Sequence, residues 1–399
     1  MRYLPVNAGS YVDDFALCEP TFCGQSARHA LRALARLLGL PFSDNEKKSL
    51  PMALLRTFLG VENDFRLFGS RRELRTSVGD SRQATLLEMC TEALQAGTFA
   101  ACGGIDRFCG KLQFALTWST NRVGRAVMQP LHGAAARAQA GAGETLGAAA
   151  RLSTDFFRHL LKAGLPGKRH ALRRRKRRSV LIWSDACWEA EGRLAGIGFV
   201  VYVPDEKSED GGDWYYGYAA VTDAFMTRFV GGRKQYIGQL EMLAAVCVYY
   251  SLAHHPALCA CLQDAPVVHF VDNYGAVAAL CKGYASAIDS ARIVHAYWAL
   301  AASLGFIPWL SYVRSKGNIA DIPSRLLEAR DPAKEAEFTA ELAYLTETLG
   351  ATLIRTVVPD VSDWPTMAAA AAAVVSPSGA PLDECEHSEP PPTRRQRRR

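Results

Sequence analysis

Residues 179–187 read SVLIWSDAC, a short apolar run that ends on an acid. Val180-Leu181-Ile182-Trp183 has the length of a buried strand. A carboxylate at the end of such a strand sits where a sheet delivers side chains to a site. Three further acids stand in similar places. Glu241 opens a helical run, Asp272 ends the strand-like PVVHFVD, and Asp321 lies in NIADIPSR after the strand-like IPWLSYV. Four carboxylates at element ends can bind two divalent cations.

The elements around these acids follow an α/β pattern. After the Asp185 strand, GRLAGIGFVVYV reads as a second strand and DWYYGYAA as a third, with the polar, turn-rich PDEKSEDGGD between them. A helix is expected over 238–252. Its Leu240, Leu243, Ala244 and Cys247 fall at i, i+3, i+4 and i+7, with Glu241 beside that stripe in the first turn. A fourth strand covers 266–272, helices cover 273–282 and 288–304, and a fifth strand covers 307–313. Asp321 begins the last helix.

The chain has 399 residues, enough for two or three domains. Its net charge is +6, unevenly spread. Lys162, Lys168, Arg169, Arg173, Arg174, Arg175, Lys176, Arg177 and Arg178 follow one another with no acid among them, and the chain closes on TRRQRRR. Such blocks favour polyanions, nucleic acid above all. The bland alternative is a solvated linker and a charged tail. The eleven cysteines are scattered, without the paired spacing of a zinc site. There is no signal peptide and no apolar run of membrane-spanning length. The expectation is an intracellular chain, nuclear or cytoplasmic, with reduced thiols and no membrane partner.

Toward the N-terminus, Tyr11-Val12-Asp13-Asp14 has apolar flanks, as in a hairpin whose tip carries two acids. An amphipathic helix over 24–38 and a strand over 54–61 follow. Residues 80–163 read as helices, with Leu86, Leu87, Cys90 and Leu94 on one face and Phe108, Leu112 and Phe114 on another. The alanine- and glycine-rich 133–150 reads as a loop, and 152–165 as a helix. An acidic amphipathic helix covers 331–349. Beyond about 366, the alanine-, proline- and charge-rich tail reads as disordered.

Three groups of motifs resemble parts of retroelement polyproteins. YVDD, a lysine in the next loop (Lys47 or Lys48) and Leu59-Gly60 resemble the second half of a reverse transcriptase palm. Gly110-Lys111-Leu112 with Arg122-Val123-Gly124-Arg125 resembles a thumb and connection. SDAC, QLEMLAA, FVDNYGA and NIADIPSR, in that order, resemble the RNase H domain of DIRS-like and gypsy-like elements. The resemblance implies a partial α+β palm over 1–79, a helical thumb and connection over 80–165 and a basic linker over 166–178. An RNase H-like domain with a mixed five-stranded sheet would cover 179–330. A helical extension over 331–365 and a basic tail over 366–399 would follow.

It implies catalytic, metal-binding roles for Asp185, Glu241, Asp272 and Asp321, holding two Mg²⁺ or Mn²⁺ ions. Asp185 would bridge the pair, Glu241 and Asp272 would hold one ion, and Asp321 the other. Carboxylates suit such hard ions. The reaction would be cleavage of the RNA strand of RNA–DNA hybrids, and Arg173 to Arg178, Asn273 and Lys316 would contact the nucleic acid. Cellular relatives commonly carry a histidine before the last aspartate. Here that loop is Arg314-Ser315-Lys316-Gly317-Asn318, and Lys316 is the cation in its place. His269, inside a strand, reads as a core histidine. Asp13 and Asp14 would be a vestigial polymerase metal site, since only ten residues precede YVDD. An upstream polypeptide or second chain would have to complete it, and this chain alone is not expected to extend a primer. The alternatives are a nucleic-acid-binding remnant without turnover and one piece of a longer polyprotein.

Overall fold

In the computed structural model the described residues are 8–11, 14–17, 22–39, 53–119, 121–171, 178–189, 194–205, 208, 211–232, 235–263, 265–325 and 332–359. Two units divide the chain, 1–79 with 167–173 and 80–166 with 174–399. In the first, β1 (Ala8–Tyr11) and β2 (Asp14–Leu17) pair as an antiparallel hairpin, with Tyr11 opposite Asp14. Helix α1 (Gly24–Leu37) follows and buries Ala27, Leu31 and Ala35, while Leu34 is half-buried and Leu38 exposed.

A four-stranded antiparallel sheet completes this unit. It runs in the order β3 (Leu55–Phe58), β4 (Val61–Asp64), β5 (Glu73–Val78) and β6 (Lys168–Ala171), with a one-turn helix α2 (Phe68–Arg71) before β5. The single strand expected over 54–61 is therefore two. Leu59 and Gly60 both have positive φ, 51° and 80°, the backbone of a two-residue hairpin turn. The expected linker over 166–178 likewise begins as a strand. The reason is a long-range ion pair: Arg169 and Arg75 both reach the buried Glu73, at 3.0 Å and 2.6 Å.

The second unit opens with helices α3 (Asp80–Ala96), α4 (Ile105–Trp118), α5 (Gln129–Arg137) and α6 (Ala148–Ala163). Leu86 and Cys90 are buried in α3, as are Phe108 and Leu112 in α4. Much of the stretch expected as a loop over 133–150 is helical. Alanine is the best helix former, Pro130 starts α5 where its missing N–H costs nothing, and Gly141 and Gly143, at φ 84° and 77°, end the run.

A six-stranded mixed sheet follows, built from β7 (Val180–Glu189), β8 (Leu194–Pro204), β9 (Gly212–Ala220), β10 (Val267–Val271), β11 (Pro308–Tyr312) and β12 (Thr352–Leu353). Their spatial order is β11-β10-β7-β8-β9-β12. β10 lies parallel to both β7 and β11, β8 is antiparallel to β7 and β9, and β12 joins β9 in parallel. The helices are α7 (Asp223–Met226), α8 (Ile237–Ala253), α9 (Pro256–Leu262), α10 (Tyr274–Lys282), α11 (Ile288–Ser303), α12 (Asp321–Arg325) and α13 (Pro332–Ala343).

The expected five strands are thus six. The last comes from the segment read as a helical extension, whose α13 runs through a wide turn at Tyr344–Thr348 into β12. Two residues leave no periodicity to read. What holds them is the cluster of Leu345 and Ala351 on Val200 and Tyr216, with Trp183, Trp214 and Tyr218 packed around it.

Helix α8 is apolar almost all round because it is covered on both sides, by β7 and β8 on one and by α11 on the other. Among the described residues no single helix is long and apolar enough to cross a membrane. Helix α11 also carries the N-terminal helices of its unit. Arg122 lies over the Trp298 ring at 5.4 Å, Phe156 meets His295 edge-on at 5.0 Å, and Asn121 donates to the Phe306 carbonyl at 3.3 Å.

Leu345 is fully buried, so Leu345→Ala should destabilise this unit by about 2–5 kcal/mol. Urea unfolding followed by tryptophan emission will measure it, because Trp183 and Trp214 line the same cluster. A loss below about 0.5 kcal/mol would show that the segment around β12 is an appendage rather than part of the core.

Candidate metal centre

The parallel pairing of β10 on β7 ends with Val271 opposite Ser184. The next residue on each strand is an aspartate, Asp272 and Asp185. Two neighbouring strands thus deliver carboxylates side by side where their ladder stops. β7 itself does not end there. It continues to Glu189 in antiparallel register with β8, so Asp185 stands mid-strand rather than at the expected strand end. Glu241 comes from the second turn of α8. Oxygens of Asp185, Glu241 and Asp272 lie within 4.8 Å of one another, a spacing at which one cation can touch all three.

Asp185 and Glu241 are 3% and 4% exposed, whereas Asp272 is half-buried. Burial pushes the Asp185 carboxyl up to about 8; a hydrogen bond from Ser324 pulls it down and the charges of Asp272 and Asp321 add to the rise. Burial, then Asp185 and Asp272, drive Glu241 well above the usual carboxylate range. Its Oε2 is buried without a hydrogen-bond partner. An orphaned, desolvated carboxylate oxygen facing two more acids is what a hard cation would satisfy. Oxygen donors alone, with no histidine or cysteine in the group, suit Mg²⁺ or Mn²⁺ better than zinc.

Asp321 opens α12 nearby. Burial raises its carboxyl, and Arg325 opposes this through an ion pair of 2.7 Å. Asp321 is outside the three-acid group but close enough to act on the titration of Asp185. Asn273 is spent as the cap of α10, its Oδ1 accepting from the Ala276 amide at 3.0 Å. Gln239 donates to Ser290 at 3.1 Å. Ser184 points away from the acids and bonds His269 at 2.9 Å. His269, fully buried, also meets Tyr249 at 2.9 Å, and burial holds it neutral with a pKa of about 3.

Outside the acids the rim is cationic and aromatic. Arg314 and Lys316 are exposed, as are Tyr274 and Tyr312, whose rings stand edge-to-face 6.3 Å apart. Trp188 meets the Tyr236 ring edge-on at 5.8 Å. Arg178 is exposed and donates to the Ser208 carbonyl at 2.9 Å. Arg173, Arg174, Arg175, Lys176 and Arg177 lie outside the described residues, as do Asp13, Lys47, Lys48 and 366–399; Asp14 opens β2.

Sequence patterns alone assign no role to Asn318, Ser324, Gly196 or Gly198. Asn318 Nδ2 donates to Asp185 Oδ1 and to the Ser184 carbonyl, both at 3.2 Å, and Ser324 Oγ lies 2.6 Å from Asp185 Oδ2. Their positions three residues before and after Asp321 are a signal that one helical turn would have exposed. The Gly-x-Gly of β8 is another.

No family model matches the chain, and no curated protein does. Among solved structures it is similar to the crystal structure of LC9-RNase H1, a type 1 RNase H with the type 2 active-site motif. That similarity has 13% sequence identity and a TM-score of 0.26, over 52% of this chain and 100% of the other.

The raised carboxyls make stability depend on pH. An unfolded aspartate titrates near 4, and Asp185 in the fold at about 8. Between those values the fold keeps a proton that the unfolded chain has released, so stability falls as pH rises. His269 and His295, buried with pKa values pushed down to about 3 and about 4, act in the opposite sense, but only below about pH 6.5. Without divalent cations, Tm should therefore fall between pH 6.5 and 8, and Asp185→Asn should flatten the fall. Added Mg²⁺ should raise Tm more at pH 8 than at pH 6.5, because the cation replaces the proton. A metal-free Tm that climbs over this interval would contradict the assignment.

Proposed function

We propose that the chain is a divalent-metal-dependent nuclease of the RNase H kind, cutting the RNA strand of RNA–DNA hybrids, and that it derives from a retroelement reverse transcriptase. The observation that carries this reading is the meeting of Asp185, Glu241 and Asp272 from two strands and a helix, with one buried oxygen of Glu241 unpartnered. The four motifs that resemble an RNase H domain supply the same three acids and Asp321.

Asp185, Glu241 and Asp272 would hold one ion, and Asp185 with Asp321 a second. Bound there, such ions supply an activated water and stabilisation of the departing 3′-oxygen. The chain's own contribution is placement. The middle of β7 fixes Asp185, the end of β10 fixes Asp272, α8 fixes Glu241, and Arg325 holds the Asp321 carboxylate in a defined direction. Arg314 and Lys316 offer charge to phosphates beside the acids. Tyr274 and Tyr312 present apolar faces to sugars, as a shape-read hybrid requires. Lys316 also stands in the loop where cellular relatives place a histidine. The Asp321–Arg325 pair favours a second reading, binding without turnover, because an arginine already compensates the fourth acid.

Purified full-length chain with Mg²⁺ or Mn²⁺ should cut the RNA strand of an end-labelled hybrid. Asp185→Asn should abolish cutting and leave hybrid binding within a few fold. Binding without cutting by the parent would favour the second reading, and equal cutting by the variant would overturn the first.

In the sequence, the basic run Arg173 to Arg178 directly precedes β7, and on this reading it contacts the phosphates. Replacing all six with serine should flatten the dependence of log affinity on log salt, by about 0.9 for each phosphate no longer neutralised. An unchanged slope would make the run a spacer.

A further inference from the structure

Asp185 is gripped at both oxygens by the segment that carries Asp321. Asn318 Nδ2 donates to Oδ1, and Ser324 Oγ sits at 2.6 Å from Oδ2. Both donors are buried, at 3% and 0% exposure. The amide of Asn318 has only one workable orientation. Its two hydrogens serve Asp185 and the Ser184 carbonyl, and its Oδ1 accepts from the Ala320 amide at 3.3 Å; turned over, it would set oxygen against two oxygens. The Ser324 hydroxyl has a single proton and two acceptors in reach, Asp185 and the Asp321 carbonyl at 3.0 Å. The shorter contact, to a carboxylate, takes it.

The grip depends on a gap in the sheet. On β8, Gly198 is the register partner of Asp185 and Gly196 that of Cys187. A Cβ at Gly198 would collide with the backbone of Pro323 and Ser324, and one at Gly196 with the Ser324 carbonyl and the Cys187 thiol. Glycine inside a strand weakens it and marks a close backbone approach. Here the approaching backbone is that of α12. The Cys187 thiol adds a contact to the Ser324 carbonyl at 3.1 Å.

We propose that Asn318 and Ser324 are positioning residues that fix the rotamer of Asp185 for cation binding, and that Gly196 and Gly198 exist to let α12 come close enough for Ser324 to reach it. This rests on the metal-centre reading above. Each donor takes one lone pair of a carboxylate oxygen and leaves another free for a cation. Holding a ligand oxygen this way typically changes metal affinity by about 10- to 100-fold. The three sets of residues act as one unit, because α12 brings Ser324 and Asp321 together.

Mn²⁺ binding to the full-length chain, read at pH 7.5 from the free-ion resonance in electron paramagnetic spectra, tests this apart from turnover. Near-UV circular dichroism confirms the fold of each variant. Ser324→Ala should bind Mn²⁺ at least tenfold more weakly with its aromatic signal retained, and Ser324→Thr, which keeps the hydroxyl, should recover most of the loss. Gly198→Ala should weaken binding at least as much as Ser324→Ala. If it does not fold, the alanine and threonine variants at 324 still decide the matter. A folded Ser324→Ala variant with Mn²⁺ affinity within twofold of the parent would overturn the proposal alone. A parent chain that binds no Mn²⁺ would overturn the metal-centre reading and this proposal with it.

Discussion

Carboxylates taken out of water and brought within a few ångströms of one another repel, and a fold that gathers them must offset that cost locally. Around Asp185 the offsets are visible one at a time. Two donors, Asn318 and Ser324, sit on its oxygens, and Arg325 faces Asp321. Raised carboxyls let the group hold protons when nothing else is bound. Glu241 has no protein donor on Oε2, so the arrangement is incomplete at that point. The rest of the unit can be understood as the scaffold that makes this crowding tolerable: a parallel ladder that ends at the right residue, a buried helix behind it, and a glycine-lined gap for the segment in front.

The two faces of the sheet divide the polar work between them. Alternation along β7 sends Ser184 to the face covered by α8, where it joins His269, Tyr249 and Tyr297 in a buried hydrogen-bonded chain. Asp185 and Cys187 point to the other face, beneath α12. Trp183 shares that face and stacks between Phe270 and Trp214. One strand thereby contributes Ser184 to a buried polar chain on one side and Asp185 to the acidic group on the other.

What the sequence made legible was whatever repeats along it. The run Val180–Trp183, the stripe Leu240, Leu243, Ala244 and Cys247, and the apolar stretch before Asp272 all declare their elements by periodicity. Asp185 and Asp272 follow such runs, and Glu241 sits within the helix that carries the stripe. Features set by contacts across the chain were not legible. Glu73 and Arg169, 96 positions apart, turn part of a basic linker into a strand. Gly196 and Gly198 look like weak points in a strand until the backbone above them is seen. Leu59-Gly60 reads as strand because its positive φ values are invisible in composition. The alanine-rich stretch after Pro130 reads as a loop because glycines interrupt it, although alanine itself favours helix.

The late position of β12 has a consequence for how the unit is made. A ribosome releases β7, β8 and β9 well before Leu345 and Ala351, the residues that close over Val200 and Tyr216. Until then the nascent sheet presents Trp183, Trp214 and Tyr218 without their full cover, and the edge of β9 without its parallel neighbour. Such a face is one that holdase chaperones bind and that newly made chains share with one another when crowded. The segment bearing Asn318 and Ser324 also emerges before Leu345. Its docking over β8 can therefore precede the final closure, which leaves the length of time between the two steps as the window in which a growing chain is most exposed to misassembly.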